Sequence, residues 1–258
     1  EAIFEHYLPR FAGDAHPAGK AGLVVGLADR LDSLAGLFAV DMAPTGNKDP
    51  FGLRRAALGL VGNLLSWDLD FDLRAALKIA AQPLPARFDA DEQADCLAFI
   101  TERLRNLLLE QGFRYDVVDS VLAEQGHNPA RAARAVRELA AWVERADWET
   151  ILPSYARCVR ITRDQPETFP VVPETFREAA EHALYAALQQ AQAAERRPGS
   201  VDDLLETFLP LIPVINRFFE DVLVMAEDPA QRSNRLGMLQ AVAALARGVA
   251  DFSYLEGF

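Results

Sequence analysis

Apolar residues recur along this chain at three- and four-residue steps, with charged residues on the turns between them. Leu97, Ile100, Leu104, Leu107 and Leu108 form one such stripe, opposite Glu102, Arg103 and Arg105, and the spacing predicts an amphipathic helix. Gly112 stands where a glycine can end that helix in the left-handed region. Asn128-Pro129 reads as the N-cap and first residue of the next helix, with Ala133, Val136, Leu139, Ala140 and Val143 on its inner face. Ile212, Ile215, Phe219, Val222 and Ala226 predict a further helix that begins near Pro213. A last one is expected from about Pro229 towards Phe252, with Leu236, Leu239, Val242, Ala243 and Leu245 facing in. Strand-like runs are confined to Val159-Arg160-Ile161-Thr162 and Val171-Val172, both short. The pattern predicts an all-α fold.

Two interruptions break it. Gln82-Pro83-Leu84-Pro85-Ala86-Arg87-Phe88-Asp89 carries two prolines at i and i+2, which prevent a continuous helix and favour extended backbone. A domain boundary is expected there, giving domains of residues 1–84 and 85–258. Arg196-Arg197-Pro198-Gly199-Ser200 reads as a loop between helices of the second domain.

The chain has 258 residues, half of them apolar and a quarter charged, enough for one large or two ordinary soluble domains. No apolar run reaches the roughly 18 residues that a membrane span needs. The opening Glu1-Ala2-Ile3-Phe4-Glu5-His6 lacks an initiator Met and the pattern of a signal peptide, and reads as the middle of a helix. A piece of a longer, cytoplasmic chain is expected. Two cysteines, Cys96 and Cys158, cannot make a disulfide framework and suit a reducing compartment. Net charge is −12, against the basic balance usual in nucleic-acid binders, although local patches decide phosphate contact. Arginine outnumbers lysine by 23 to three. Arginine forks suit phosphates, but genome composition gives the same bias.

Candidate chemistry is sparse. His6, Asp14, His16, Asp29 and Asp32 are residue types of hydrolytic metal sites, and Asp29 and Asp32 are one helical turn apart. Their spacings match no compact ligand set, so capping or exposed carboxylates are the plainer reading, and no metal site is expected. Pro44-Thr45-Gly46-Asn47-Lys48-Asp49-Pro50-Phe51-Gly52-Leu53-Arg54-Arg55 is a turn-rich connector running into a helix. Its Lys48, Arg54 and Arg55 at a helix start could hold an anion. They could equally be a plain loop with Asp49 paired to an arginine, and the spacing is not that of a nucleotide P-loop.

Arg157, Arg160 and Arg163 recur every three residues, a basic stripe fit for tracking phosphates if not simply solvated, with Tyr155 near enough to offer a stacking face. Arg114 and Tyr115 repeat the basic–aromatic pair. Asn216-Arg217 and Arg232-Ser233-Asn234-Arg235 have base-reading side chains, but acidic neighbours favour structural roles. No nucleophile set, phosphate cradle or catalytic residue stands out.

Two long stretches resemble the β subunit of the bacterial two-subunit glycyl-tRNA synthetase. The first is Glu5-His6-Tyr7-Leu8-Pro9-Arg10-Phe11-Ala12-Gly13-Asp14, with Ala28-Asp29-Arg30-Leu31-Asp32-Ser33-Leu34 and Pro44 to Ala57. The second is Ile215-Asn216-Arg217-Phe218-Phe219-Glu220-Asp221 through Asp228, then Arg232-Ser233-Asn234-Arg235-Leu236. The resemblance implies a partial HD-like helical domain followed by a helical-bundle anticodon-binding domain, similar to that of arginyl-tRNA synthetase. It implies glycine tRNA as a partner, and an α subunit met through the full-length β subunit and carrying the ATP and Mg chemistry. This piece would then hold no cofactor and perform no chemistry itself. Contact with tRNA is expected from Arg157, Arg160, Arg163, Arg114 and Tyr115, and secondarily from Lys48, Arg54 and Arg55. The HD-like part lacks a His-Asp dyad, so the alternative of an HD-type metal-dependent phosphohydrolase draws no support from the domain's name. An acidic helical scaffold that binds only protein is the other alternative.

Overall fold

A computed structural model describes residues 1–11, 13–46 and 48–258. Ala12 and Asn47, both within the resembling stretches, lie outside the described residues. Among the described residues the chain forms twelve α-helices, and its only β pairing is an isolated bridge between Thr45 and Lys48. The helices are α1 (Ala2–Glu5), α2 (Lys20–Phe38), α3 (Leu53–Ser66), α4 (Leu73–Ala80), α5 (Ala90–Glu110) and α6 (Tyr115–Gln125). They continue with α7 (Pro129–Val143), α8 (Trp148–Thr162), α9 (Ala179–Ala193), α10 (Val201–Phe208), α11 (Leu211–Asp221) and α12 (Pro229–Ala243).

Side-chain caps set many of these boundaries. Asp72 accepts from the backbone N–H of Arg74 at the start of α4, and Asp228 from that of Ala230 at the start of α12. Asp89 and Glu92 form a reciprocal capping box on α5. That helix buries Cys96, Ile100, Leu104 and Leu108, and Gly112 beyond its end takes φ +90°, as the pattern predicted. Asn128 Oδ1 accepts from Arg131 N, 3.2 Å away, with Pro129 opening α7.

Two expectations about the later helices are corrected. Pro213 lies inside the first turn of α11, where a missing N–H costs little, and the helix buries Leu211, Ile212, Ile215 and Phe218. Phe219 is only half-buried, while Val222 and Ala226 are buried beyond the helix end. α12 stops at Ala243 rather than running towards Phe252, and a short 3₁₀ turn leads to Gly248 at φ +74°. The strand-like Val159–Thr162 run is part of α8, whose period-three face overrides its β-branched composition.

The chain divides into two compact units, Glu1–Val118 with Gln125–Arg134, and Asp119–Glu124 with Ala135–Phe258. The prolines at 83 and 85 do end α4. However, α5 packs against α2, α3 and α4, so the first unit continues well past the expected boundary at residue 84.

In the first unit, buried polar side chains tie the segment before α2 to the helices. The Arg30 guanidinium donates to the carbonyls of His6 (2.8 Å), Gly26 (2.9 Å), Tyr7 (3.2 Å) and Leu8 (2.9 Å). Room for it exists because Gly26 and Gly59 lack side chains: a Cβ at either would lie within 3 Å of the guanidinium. Asn63 donates to Leu8 O and accepts from His16 Nδ1 at 2.7 Å, which fixes the proton on that ring nitrogen. Glu5 accepts from the N–H groups of Ala18 and Gly19 at the start of α2.

In the second unit, α8 packs on α12 and α9 on α11. Tyr155 is buried edge-on against Phe208 and Phe252, and its hydroxyl donates to Ala243 O at 2.9 Å. The connector between α8 and α9 has no regular structure over most of its length, yet α12 holds its backbone. Asn234 accepts from Val172 N (2.8 Å) and donates to Val172 O, while Gln240 accepts from Phe169 N and donates to Glu167 O. The connector approaches so closely at Gly237 that a Cβ there would sit 2.7 Å from Phe169 O.

α10 begins against Glu138 of α7, whose Oε2 accepts from Ser200 Oγ, Val201 N (2.7 Å) and Asp202 N (3.0 Å). A carboxylate at that position satisfies helix-start N–H groups and complements the helix dipole. Glu138→Ala is therefore expected to destabilise the chain by about 1–2 kcal/mol, and Glu138→Gln by less, because an acceptor oxygen remains. Urea unfolding of both variants checks the order; equal stability of Glu138→Ala and the parent chain would refute the cap.

Candidate nucleic-acid interface

Arg157 and Arg160 of α8, and Arg163 at the cap just past its end, are all exposed. The Arg157 guanidinium lies 4.2 Å over the ring of Phe219, from α11, and that of Arg160 lies 5.5 Å over the ring of Phe258. Such stacking restrains a flexible side chain while leaving its N–H edge free to meet an oxygen anion. Local spacing assigns Phe219 to the apolar face of its own helix and gives Phe258 no role, because nothing in it links either ring to a helix so far from them in the chain. Tyr155, by contrast, is interior, and burial pushes its hydroxyl pKa up; the stacking face expected there does not exist.

Arg114 pairs with the buried Asp116 carboxylate at 2.7 Å, and Tyr115 opens α6 with its side chain more than half exposed. Around α3 the expected anion site is already filled from within. The Asp49 carboxylate accepts from Leu53 N (2.8 Å) and Arg54 N (3.0 Å), so it caps the helix instead of pairing with an arginine side chain. Arg54 donates to Gly46 O and holds the loop. Lys48 and Arg55 stay exposed.

The residues that suggested a metal site do not converge. Asp14 is bound by Arg10 in an ion pair that holds its carboxyl below the usual range. His16 is engaged by Asn63, and Asp29 and Asp32 line two different concavities. Among the described residues no group of three His, Cys, Asp or Glu side chains could hold a metal ion. Burial pushes both thiols, Cys96 and Cys158, up to about 12, far from thiolate chemistry at neutral pH. Among the described residues no helix is long and apolar enough to cross a membrane.

The suggested base readers in α12 are structural. Arg235 pairs with Glu181 at 2.8 Å, both side chains being buried, and also donates to Leu223 O. Asn234 is occupied by the connector. The structural role agrees with the expectation from nearby acidic residues, but the partners of Arg235 and Asn234 lie far off in the chain, at Glu181 and Val172.

Comparison with known proteins agrees with this architecture. Residues 1–123 match the family described as glycyl-tRNA synthetase beta subunit, and residues 151–250 match the DALR anticodon binding domain. A glycine–tRNA ligase beta subunit of Moorella thermoacetica is 38% identical over 99% of this chain, and one of Aromatoleum aromaticum is 40% identical over 99%. The chain spans 38% of the length of each. A chloroplastic/mitochondrial glycine–tRNA ligase of Arabidopsis thaliana is 37% identical over the whole chain, which spans 24% of that protein.

An all-helical chain whose two halves match a glycyl-tRNA synthetase subunit model and an anticodon-binding domain model falls in the class of proteins related to aminoacyl-tRNA synthetases. More narrowly, the chain belongs to the glycyl-tRNA synthetase β-subunit family.

Proposed function

We propose that this chain is the tRNA-binding portion of a glycyl-tRNA synthetase β subunit. It holds the anticodon region of glycine tRNA in the cytoplasm while an α subunit, carrying ATP and Mg, joins glycine to the tRNA. The observation that supports this most directly is the anticodon-binding match over residues 151–250, which contain the exposed arginine stripe stacked on Phe219 and Phe258. Guanidinium groups spaced along one helix suit successive phosphates, and unstacked anticodon bases are read from exposed aromatic and amide groups. Arg114 and Tyr115, and more distantly Lys48, Arg54 and Arg55, are further contacts in this reading. The piece needs no cofactor of its own.

Arg160→Glu in the assembled synthetase is expected to weaken glycine tRNA binding by about tenfold or more and to flatten its salt dependence, since one phosphate contact is lost and one repulsion gained. Filter binding at two salt concentrations measures both, and an unaltered unfolding curve shows that the fold is kept. Unchanged affinity in both Arg157→Glu and Arg160→Glu would take this stripe out of the interface.

A further inference from the structure

The stretches singled out at the start of the chain meet at a concavity that tRNA contact through α8 does not use. It has a volume of about 440 Å³ and is walled by the segment after α1, by α2 and by the start of α3. We propose that it binds one nucleotide, with the base against aromatic faces and the phosphate at Arg55. When that nucleotide belongs to an RNA strand, the proposal rests on the tRNA-binding reading above.

Three observations carry it. First, folding leaves Phe4, Tyr7 and Phe51 respectively 60%, 63% and 54% exposed around this one concavity. Large aromatics gathered at a surface mark a binding site more often than isolated ones do, and every nucleobase offers a face to stack on them. Second, the wall carries Arg10, Arg30 and Arg55 against Asp29, and with Asp14 paired to Arg10 a net positive charge still remains, in a chain of net charge −12. Arg30 is used up by backbone carbonyls and Arg10, 5.6 Å over the Phe4 ring, is paired with Asp14, whereas Arg55 is exposed and left to meet the phosphate. Asp29 and Ser33, one turn apart on α2, add an acceptor and a hydroxyl suited to ribose or a base edge. Third, the walls are held in place. Arg30 fixes the backbone of His6, Tyr7 and Leu8, and Asp49 fixes the start of α3, which carries Arg55 and directly follows Phe51. A site built before its ligand arrives avoids ordering cost on binding.

An inorganic anion would have no use for the rings, and an apolar peptide no use for the guanidiniums. The volume lies in the range of about 300–1,000 Å³ typical of small-ligand sites.

The test has two arms. Adenosine 5′-monophosphate is titrated against the full-length β chain without its α subunit, which would bring an ATP site of its own. Glycine tRNA is titrated against the assembled synthetase. In each arm the parent protein is compared with Phe51→Ala and Arg55→Gln, both at exposed side chains, with unfolding curves to show that the fold survives; the tRNA arm also includes Arg160→Glu.

Loss of a stacking partner is expected to weaken binding by about fivefold to a hundredfold. A response of both probes, or of tRNA alone, identifies a nucleotide within RNA. A response of the monophosphate alone identifies a free nucleotide. If neither probe responds to Phe51→Ala or Arg55→Gln while Arg160→Glu weakens tRNA binding, the pocket proposal is overturned and the tRNA reading stands. If Phe51→Ala acts on tRNA and Arg160→Glu does not, the pocket stands and the α8 stripe falls. If all three substitutions leave tRNA binding unchanged and the monophosphate does not bind, both fail.

Discussion

Arg235→Ala is expected to lower the stability of the chain by about 3–5 kcal/mol, the cost of leaving a buried charge without its partner. The side chains of Arg235 and Glu181 are 6% and 2% exposed, and Arg235 also holds Leu223 O. Removing the guanidinium leaves the buried Glu181 carboxylate without its countercharge, although the N–H groups of Arg177 and Glu178 still donate to it. Urea unfolding measures the loss. Arg235→Met combined with Glu181→Leu should recover part of it, because no lone charge then remains; recovery cannot be complete while those two N–H groups lack an acceptor.

The pair also imposes a pH dependence. Burial pushes the Glu181 carboxyl up, but hydrogen bonds from Arg235, Glu178 and Arg177 outweigh that and leave it below its ordinary value. A carboxyl that titrates lower in the folded than in the unfolded state stabilises fully above the unfolded value, roughly pH 4.3. That contribution is lost as pH falls through the folded value. The parent chain should therefore lose stability in mild acid more steeply than the Met/Leu double variant. Parallel acid profiles for the two would contradict this account.

Arg30→Ala should be about as damaging in the first unit. One guanidinium serves four carbonyls from two segments, and each carbonyl left buried without a donor costs about 1–3 kcal/mol. Water reaching the vacated space would offset part of this, so a net loss of about 3–5 kcal/mol is expected. Arg30→Lys should restore little, since a compact ammonium cannot span four acceptors arranged for a planar fork. A thermal melt in which the lysine variant matches the parent would show that charge, and not the fork, is what the site requires. Desolvation by burial lowers the Arg30 pKa, but guanidinium stays charged at any pH where the protein folds, so no titration of this network is expected.

The helices were readable because their punctuation is local. Asn128-Pro129, Pro229 and Gly112 act through the few backbone groups beside them, and the structure places them as their chemistry requires; the caps at Asp89 with Glu92 and at Asp228 are equally local but were not read. Misplaced features depend on the partner across the core. Tyr155 had the composition of a stacking residue but the position of a core residue, a difference decided by Phe208 and Phe252 far along the chain. The prolines at 83 and 85 mark a real break between helices, yet whether such a break divides packing units depends on what α5 touches. Asp49 could be foreseen as an arginine partner; its choice of backbone N–H groups depends on how Gly52 turns, with φ +69°, into α3. The concavity near Phe51 draws on three separated segments, and no single one announces it.

The grip of Asn234 and Gln240 on the connector has a consequence for the order in which the protein takes shape. Those contacts join residues 62 and 71 positions apart in the chain. A ribosome delivers α8 and the connector long before α12 emerges, and until then the extended backbone from Glu167 to Val172 lacks the amide groups that satisfy it. The middle of this unit is thus completed by α12. Synthesis stalled before α12 would present a nascent chain with α8 uncovered and its connector loose, a form that chaperones and proteases recognise.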